Sequence, residues 1–156
     1  MRQNGRTTVG LPFQKSGLAP ESGNETCGGK KVLVVDNDSF VCELLAKVIR
    51  RHLGLEVAVV GCGSQAISET LTGEYDAAII ELVLPETSGV EAIRVIKEMK
   101  PDFPILAITS EAVKRRDEYV VSCGVKRLFY KPVRISSLIN ELKGIFMTGR
   151  DKPVDK

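Results

Sequence analysis

The chain has 156 residues, of which 43% are hydrophobic and 27% charged, with a formal net charge of +2 at pH 7. That length fits one domain of about 120 residues plus tails, and the near-balanced charge argues neither for nor against a nucleic-acid partner. No apolar run approaches the roughly 20 residues of a membrane span, and the N-terminus lacks the apolar core of a secretory signal.

Residues 1–29 hold many of the Gly, Ser, Asn and Pro residues and few large apolar ones. Such a composition does not offset ordering entropy, so a flexible N-terminal tail is expected. Arg2, Arg6 and Lys15 precede the first acidic residue, Glu21, a bias shared by transit peptides. The Gly and Pro content favours a plain linker instead. The predicted domain spans residues 30–146, and 147–156 read as a second, short tail.

Within 30–146 two patterns alternate. Short apolar runs at Val32–Val35, Val57–Val60, Ala77–Ile80, Ile105–Ile108 and Leu128–Tyr130 read as strands. Helical spacing follows each of them. Phe40, Val41, Leu44, Leu45, Val48 and Ile49 form one apolar face; Ala66, Ile67 and Leu71 a second; Val90, Ile93, Ile96 and Met99 a third. Residues 111–122 are more polar, with no clear face. Ile135, Leu138, Ile139, Leu142, Ile145 and Phe146 form the last. Five strands alternating with five helices predict an α/β fold, a parallel sheet with helices on both sides.

The four cysteines, Cys27, Cys42, Cys62 and Cys123, form no C-x-x-C pair, and His52 is the sole histidine. A zinc site is not expected. The thiols read as reduced and cytosolic. His52, which follows Arg50 and Arg51, reads as a helix-end cation and not as a phosphotransfer histidine.

Ligands of such a sheet bind outside the carboxyl ends of the strands. The residues there are Asp36, Asn37 and Asp38 after the first strand, and Gly61 and Gly63 after the second. Glu81 ends the third, Thr109 and Ser110 the fourth, and Lys131-Pro132 the fifth. One reading of this edge is a Rossmann-like nucleotide or flavin site. "VAVVGCGSQAI" is a strand followed by G-x-G-x-x-A over Gly61–Ala66. Glu81 lies about 20 residues on, where an acid would hold a ribose. That reading leaves Asp36, Asp38, Thr109 and Lys131 without a task.

A second reading uses every strand end. "KVLVVDNDSF", "GSQAI", "YDAAIIELVLPETSGVEAI", "PILAITS" and "GVKRLFYKPV" follow one another at spacings that resemble the receiver domain of two-component response regulators. The resemblance spans about residues 30–146. It implies a flavodoxin-like, doubly wound (βα)5 fold with strand order 2-1-3-4-5. It also implies a phosphoswitch, in which an aspartate on the third strand takes a phosphoryl group from a histidine kinase. Mg²⁺ held by nearby acids would assist, and a hydroxyl and a lysine would bind the phosphoryl oxygens. Thr109 and Lys131 match the last two positions. Leu128 occupies the usual aromatic switch position, while Phe129 is expected to face the other way. The family also implies a cis bond before Pro132, aiming Lys131 into the acidic pocket.

Two positions depart from that pattern. Glu81 stands at the phosphoacceptor aspartate, and Asn37 at a metal-binding acid; Asp36 matches the first acid, and Asp38 keeps a charge one residue on. Glutamate places its carboxylate about 1–1.5 Å further out, and a misplacement of that size costs on the order of 100-fold in a geometry-dependent reaction. A neutral Asn37 amide weakens any Mg²⁺ site built on Asp36 and Glu81. The expectation is therefore no cofactor or a weakly bound Mg²⁺, no enzymatic activity, and no ordinary aspartyl phosphorylation. Residual phosphorylation on Glu81 or Asp38 is the minor alternative. Glu81 either reaches toward Lys131 and Thr109 as a fixed negative charge, imitating part of a phosphorylated state, or makes a structural ion pair with Lys131.

No helix-turn-helix or catalytic domain is expected after residue 146, so action is expected through protein contacts in a bacterial, cytoplasmic setting. The family's usual output surface carries Lys114, Arg115, Arg116, Lys126, Arg127 and Arg134 here, against Asp117 and Glu118. Such a basic face suits an acidic protein partner, a histidine kinase or downstream effector, or a second copy in a homodimer. A plain solvated face is the alternative. Nucleic acid is disfavoured by the low net charge and the lack of a reading helix.

Overall fold

A computed structural model describes residues 28–147. The two tails expected from the sequence lie almost wholly outside the described residues. The chain alternates β1 (Lys31–Val35), α1 (Ser39–Leu53), β2 (Glu56–Val60), α2 (Gly63–Thr72) and β3 (Ala77–Glu81). It continues with α3 (Gly89–Met99), β4 (Ile105–Thr109), α4 (Lys114–Ser122), β5 (Arg127–Tyr130) and α5 (Ile135–Met147). All strand pairs are parallel, in the order β2-β1-β3-β4-β5. This is the doubly wound α/β architecture predicted from the sequence.

The central strands are apolar on both faces because both faces are covered. Every residue of β3 and β4 is buried. Val32, Val34, Ala77, Ile79, Leu106, Ile108 and Phe129 pack under α1 and α5. Alternate residues Leu33, Val35, Ala78, Ile80, Ile105 and Ala107 pack under α2, α3 and α4. Strand order reverses between β1 and β3, which opens a crevice at their carboxyl ends. Asp36 and Glu81 stand at that crevice.

α1 keeps Val41, Leu45, Val48 and Ile49 of the predicted apolar face against the core but not Phe40 and Leu44. Its buried side chains are Cys42, Leu45, Ala46, Ile49 and Leu53, whereas Phe40 is 72% exposed and Leu44 46%. Two overlapping stripes were available at helical spacing. The one with smaller side chains, Cys42 and Ala46, lets the helix approach the sheet closely. The same correction applies at Leu71 and Met99, both exposed at the last turns of their helices. α1 starts at Asp38, whose Oδ1 accepts from Phe40 N at 2.9 Å and Val41 N at 3.4 Å. It stops at Gly54, which takes a left-handed φ of 64°.

Candidate functional site

Asp36 is carried past the end of β1, its N–H donating to Val60 O at 3.2 Å. Glu81 closes β3. The two carboxylates are 4% and 3% exposed. Lys131 follows β5, and its N–H donates to Thr109 O at 2.8 Å; the Lys131–Pro132 peptide bond is cis. The Lys131 ammonium sits between the acids, donating to Asp36 Oδ2 at 2.8 Å and pairing with Glu81 Oε2 at 2.8 Å. Partial burial alone would lower the lysine pKa, but the two carboxylates outweigh it and raise it above its usual value.

The remaining carboxylate oxygens are also in use. Asp36 Oδ1 accepts from Asp38 N at 2.9 Å, and Glu81 Oε1 from Val83 N at 3.0 Å. Asp38 Oδ1 caps α1. Asn37 is exposed. Both oxygens of Asp36 accept from protein donors, whereas Glu81 Oε2 is buried with no hydrogen-bond partner and has only the Lys131 charge beside it. With that ammonium between the two acids and an amide in place of a third, this arrangement does not fit a hard dication. Among the described residues no cluster of three or more metal-ligating side chains is found.

Beneath the pocket, Cys42 Sγ donates to Asp36 O at 3.2 Å. Burial, reinforced by the Asp36 charge, pushes its thiol pKa up to about 11. Gly89 lets α3 begin against the end of β3: a Cβ there would lie 1.8 Å from Glu81 O. Pro85 and Gly89 thus belong to a tight connection that fixes Glu81.

Thr109 corrects one sequence expectation. Its hydroxyl does not meet Glu81. Fully buried, it donates to Glu111 O at 3.1 Å and accepts from Glu111 N at 3.3 Å and Arg116 Nη2 at 2.9 Å. Arg116 also donates to Glu111 O, and its Nε and Nη2 hold Asp117 Oδ1 at 3.2 and 3.1 Å. The other Asp117 oxygen accepts from Tyr130 OH at 2.8 Å, which raises the tyrosine pKa. Arg116, expected on an exposed basic surface, is instead turned inward, with 18% of its side chain exposed. Lys114, Arg115, Lys126, Arg127 and Arg134 are exposed, and Arg127 pairs with Glu141 at 2.9 Å. Leu128 packs toward the α2–α3–α4 side and Phe129 toward α1 and α5.

The sequence reading missed Glu111, Asp117 and Tyr130 as site neighbours. The one available signal was Asp117 itself, the first of two acids after three consecutive cations.

The Gly61–Ala66 turn is closed at Gly63, where a pyrophosphate would need the backbone bare. A Cβ on Gly63 would lie 2.3 Å from Thr87 O, so the space beside that glycine is filled by the chain's own β3–α3 connection. Gly61 N donates to Gln65 Oε1 at 3.3 Å. The two glycines serve a tight turn and a close backbone approach.

A doubly wound domain with two buried acids, a lysine and a hydroxyl at its strand ends defines the response-regulator class of signalling domain. The sequence model described as the response regulator receiver domain matches residues 32–143, and the chain belongs to that family. It is 30% identical over 125 residues to the transcription factor SKN7 of Saccharomyces cerevisiae, covering 78% of this chain and 20% of that protein. It is 26% identical over 126 residues to the DNA-binding response regulator MtrA of Mycolicibacterium smegmatis, covering 81% and 54% respectively. The chain thus spans from about a fifth to about half the length of these curated relatives. A CheY-like receiver domain from Methanospirillum hungatei superposes with a TM-score of 0.73 at 18% identity, over 80% of this chain and 98% of that one.

Proposed function

We propose that this receiver domain works by protein contact in two-component or phosphorelay signalling and is not switched by ordinary aspartyl phosphorylation. The observation that carries this reading is the Lys131 ammonium seated 2.8 Å from both Asp36 and Glu81. The two carboxylates that would otherwise face a metal already share a cation of the chain itself. Glu81 acts as the structural partner of Lys131. It is not a full imitation of a phosphorylated residue, because the Thr109 hydroxyl is bound elsewhere.

On this reading the domain has no catalysis of its own and no resident Mg²⁺. Its partner is a histidine kinase or downstream effector, met in the cytoplasm. The exposed cations Lys114, Arg115, Lys126 and Arg134 favour an acidic protein surface. Among the described residues no helix is long and apolar enough to cross a membrane.

Intact-mass spectrometry after incubation with acetyl phosphate and Mg²⁺ tests the central point. The expected spectrum is that of the unmodified chain. A stoichiometric phosphoryl adduct overturns the reading.

A further inference from the structure

The start of α4 is poorly made as a helix terminus. Its N-cap is Val113, which offers no side-chain acceptor, and its first three residues are Lys114, Arg115 and Arg116. Cations at a helix N-terminus oppose the macrodipole, and orphan N–H groups there want an acceptor. Only Asp117 has the favourable sign. Arg116 ties this turn back to the Thr109 hydroxyl and Glu111 O.

That contact ties two regions together. A hydroxyl has one donor and two acceptor sites. Those of Thr109 are filled by Glu111 O, Glu111 N and Arg116 Nη2. The hydroxyl is therefore withheld from the pocket of Asp36, Glu81 and Lys131. Asp117 extends the network to Tyr130, whose ring is half-exposed on the outer face beside Val121 and Leu128. Lys114 and Arg115 flank Arg116 and stay exposed.

We propose that Arg116 is a regulatory clasp: closed, it pins the first turn of α4 to the Thr109 hydroxyl and Glu111 O, and an acidic protein segment docking beside Lys114 and Arg115 takes its guanidinium and opens it. An acidic ligand can shift this equilibrium because it gains Arg116 only in the open state. Opening vacates one acceptor position of the Thr109 hydroxyl, which keeps its bonds to Glu111, and loosens residues 114–118. The inference rests on the reading that the domain acts through protein contacts, but its test measures helix opening and not phosphorylation. A phosphoryl adduct would overturn the earlier reading and leave this one standing.

The experiment is amide hydrogen exchange on the full chain, followed by mass spectrometry, with β1 and β3 as internal references. Arg116→Gln should speed exchange across residues 114–118 at least about tenfold and leave β1 and β3 unchanged. Thr109→Val, which removes the accepting hydroxyl but keeps the arginine, should do the same to a smaller degree. A hexaglutamate peptide at up to millimolar concentration should speed exchange of the same segment in the wild-type chain and have no effect in Arg116→Gln. A merely structural arginine would respond to the substitutions but not to the peptide. Unchanged exchange in both variants overturns the clasp. So does a peptide that leaves the segment unchanged or protects it.

Discussion

Glu81, at the end of β3, and Lys131, just past β5, form a 2.8 Å ion pair that reaches over the end of β4. Asp36 beyond β1 shares the same ammonium. One cation thus serves two acids that are almost fully buried, and three strand ends contribute to one charge cluster. Removing the cation leaves two buried carboxylates facing each other. Breaking a buried pair by deleting one partner costs several kcal/mol, and the quarter exposure of the lysine side chain reduces that penalty. Lys131→Met should therefore destabilise the domain by about 2–4 kcal/mol at neutral pH. Glu81→Gln, which leaves Lys131 its Asp36 partner, should cost less. Urea unfolding of the two variants checks the order.

The pH dependence follows from the direction of the lysine shift. Its folded pKa lies above the ordinary value because Asp36 and Glu81 favour the charged form. The folded state then binds the proton more tightly than the unfolded chain, so the stabilisation is fully present below the unfolded lysine pKa. It is lost as pH rises through the higher folded value. Stability of the wild-type chain should fall on the alkaline side above about pH 10. The Lys131→Met variant should lack that component of the fall.

Cys42 gives a separate chemical readout. With its pKa pushed up to about 11, the thiol is ionised to roughly one part in a thousand at pH 8, and the thiolate is the reactive form. It is also buried, whereas Cys62 and Cys123 are partly accessible. Titration with a disulfide reagent at pH 8 should modify Cys42 last, on the timescale of unfolding. Rapid modification of Cys42 together with Cys62 and Cys123 would contradict its placement under Asp36.

Much of the site was legible because the sequence places polar residues where buried apolar runs end. Val32–Val35, Ala77–Ile80 and Ile105–Ile108 leave little choice about which residues reach the sheet edge, so Asp36, Glu81 and Thr109 could be gathered from residues far apart in the chain. Lys131 followed from the fifth run in the same way. Which partner each would choose was not legible. Glu81 was within reach of two groups, and only the packing of α4 shows that Thr109 is taken by Arg116. Local periodicity also misplaced Phe40 and Leu44. Large apolar side chains dominate a pattern reading, while the helix packs through Cys42 and Ala46. At α4 the core-facing positions are Asp117 and Val120, a polar–apolar pair that carries no periodic signal.

Two glycines predict opposite outcomes for the same substitution. At Gly89 a Cβ would stand 1.8 Å from Glu81 O and 2.8 Å from Leu82 Cα, both backbone, so the start of α3 and the end of β3 must separate. Gly89→Ala should cost at least about 3 kcal/mol and disturb the Glu81–Lys131 pair. At Gly144, inside α5, a Cβ meets nothing within 4 Å. Gly144→Ala should stabilise by about 0.5–1 kcal/mol, chiefly by restricting the unfolded chain. Paired thermal melts decide both.

The last prediction concerns the two departures from the receiver pattern. Glu81 is long enough to meet Lys131 directly, and both of its oxygens are engaged, by Lys131 and by Val83 N. A shorter aspartate would draw its carboxylate back by about 1–1.5 Å and leave room between it and the ammonium. Asn37 is exposed at the mouth of the same pocket, where a carboxylate would add the formal charge that a hard dication needs. The double change Asn37→Asp with Glu81→Asp should therefore gain Mg²⁺-dependent phosphorylation by acetyl phosphate, read as a phosphoryl adduct by intact mass. Each single change should give far less. Asn37→Asp alone keeps the over-long acceptor, and Glu81→Asp alone keeps the weak metal site. A double variant that folds, by circular dichroism and cooperative urea unfolding, yet takes no phosphoryl group would show that these two positions do not by themselves account for the loss. The Arg116 hold on Thr109 would then be the next contact to release.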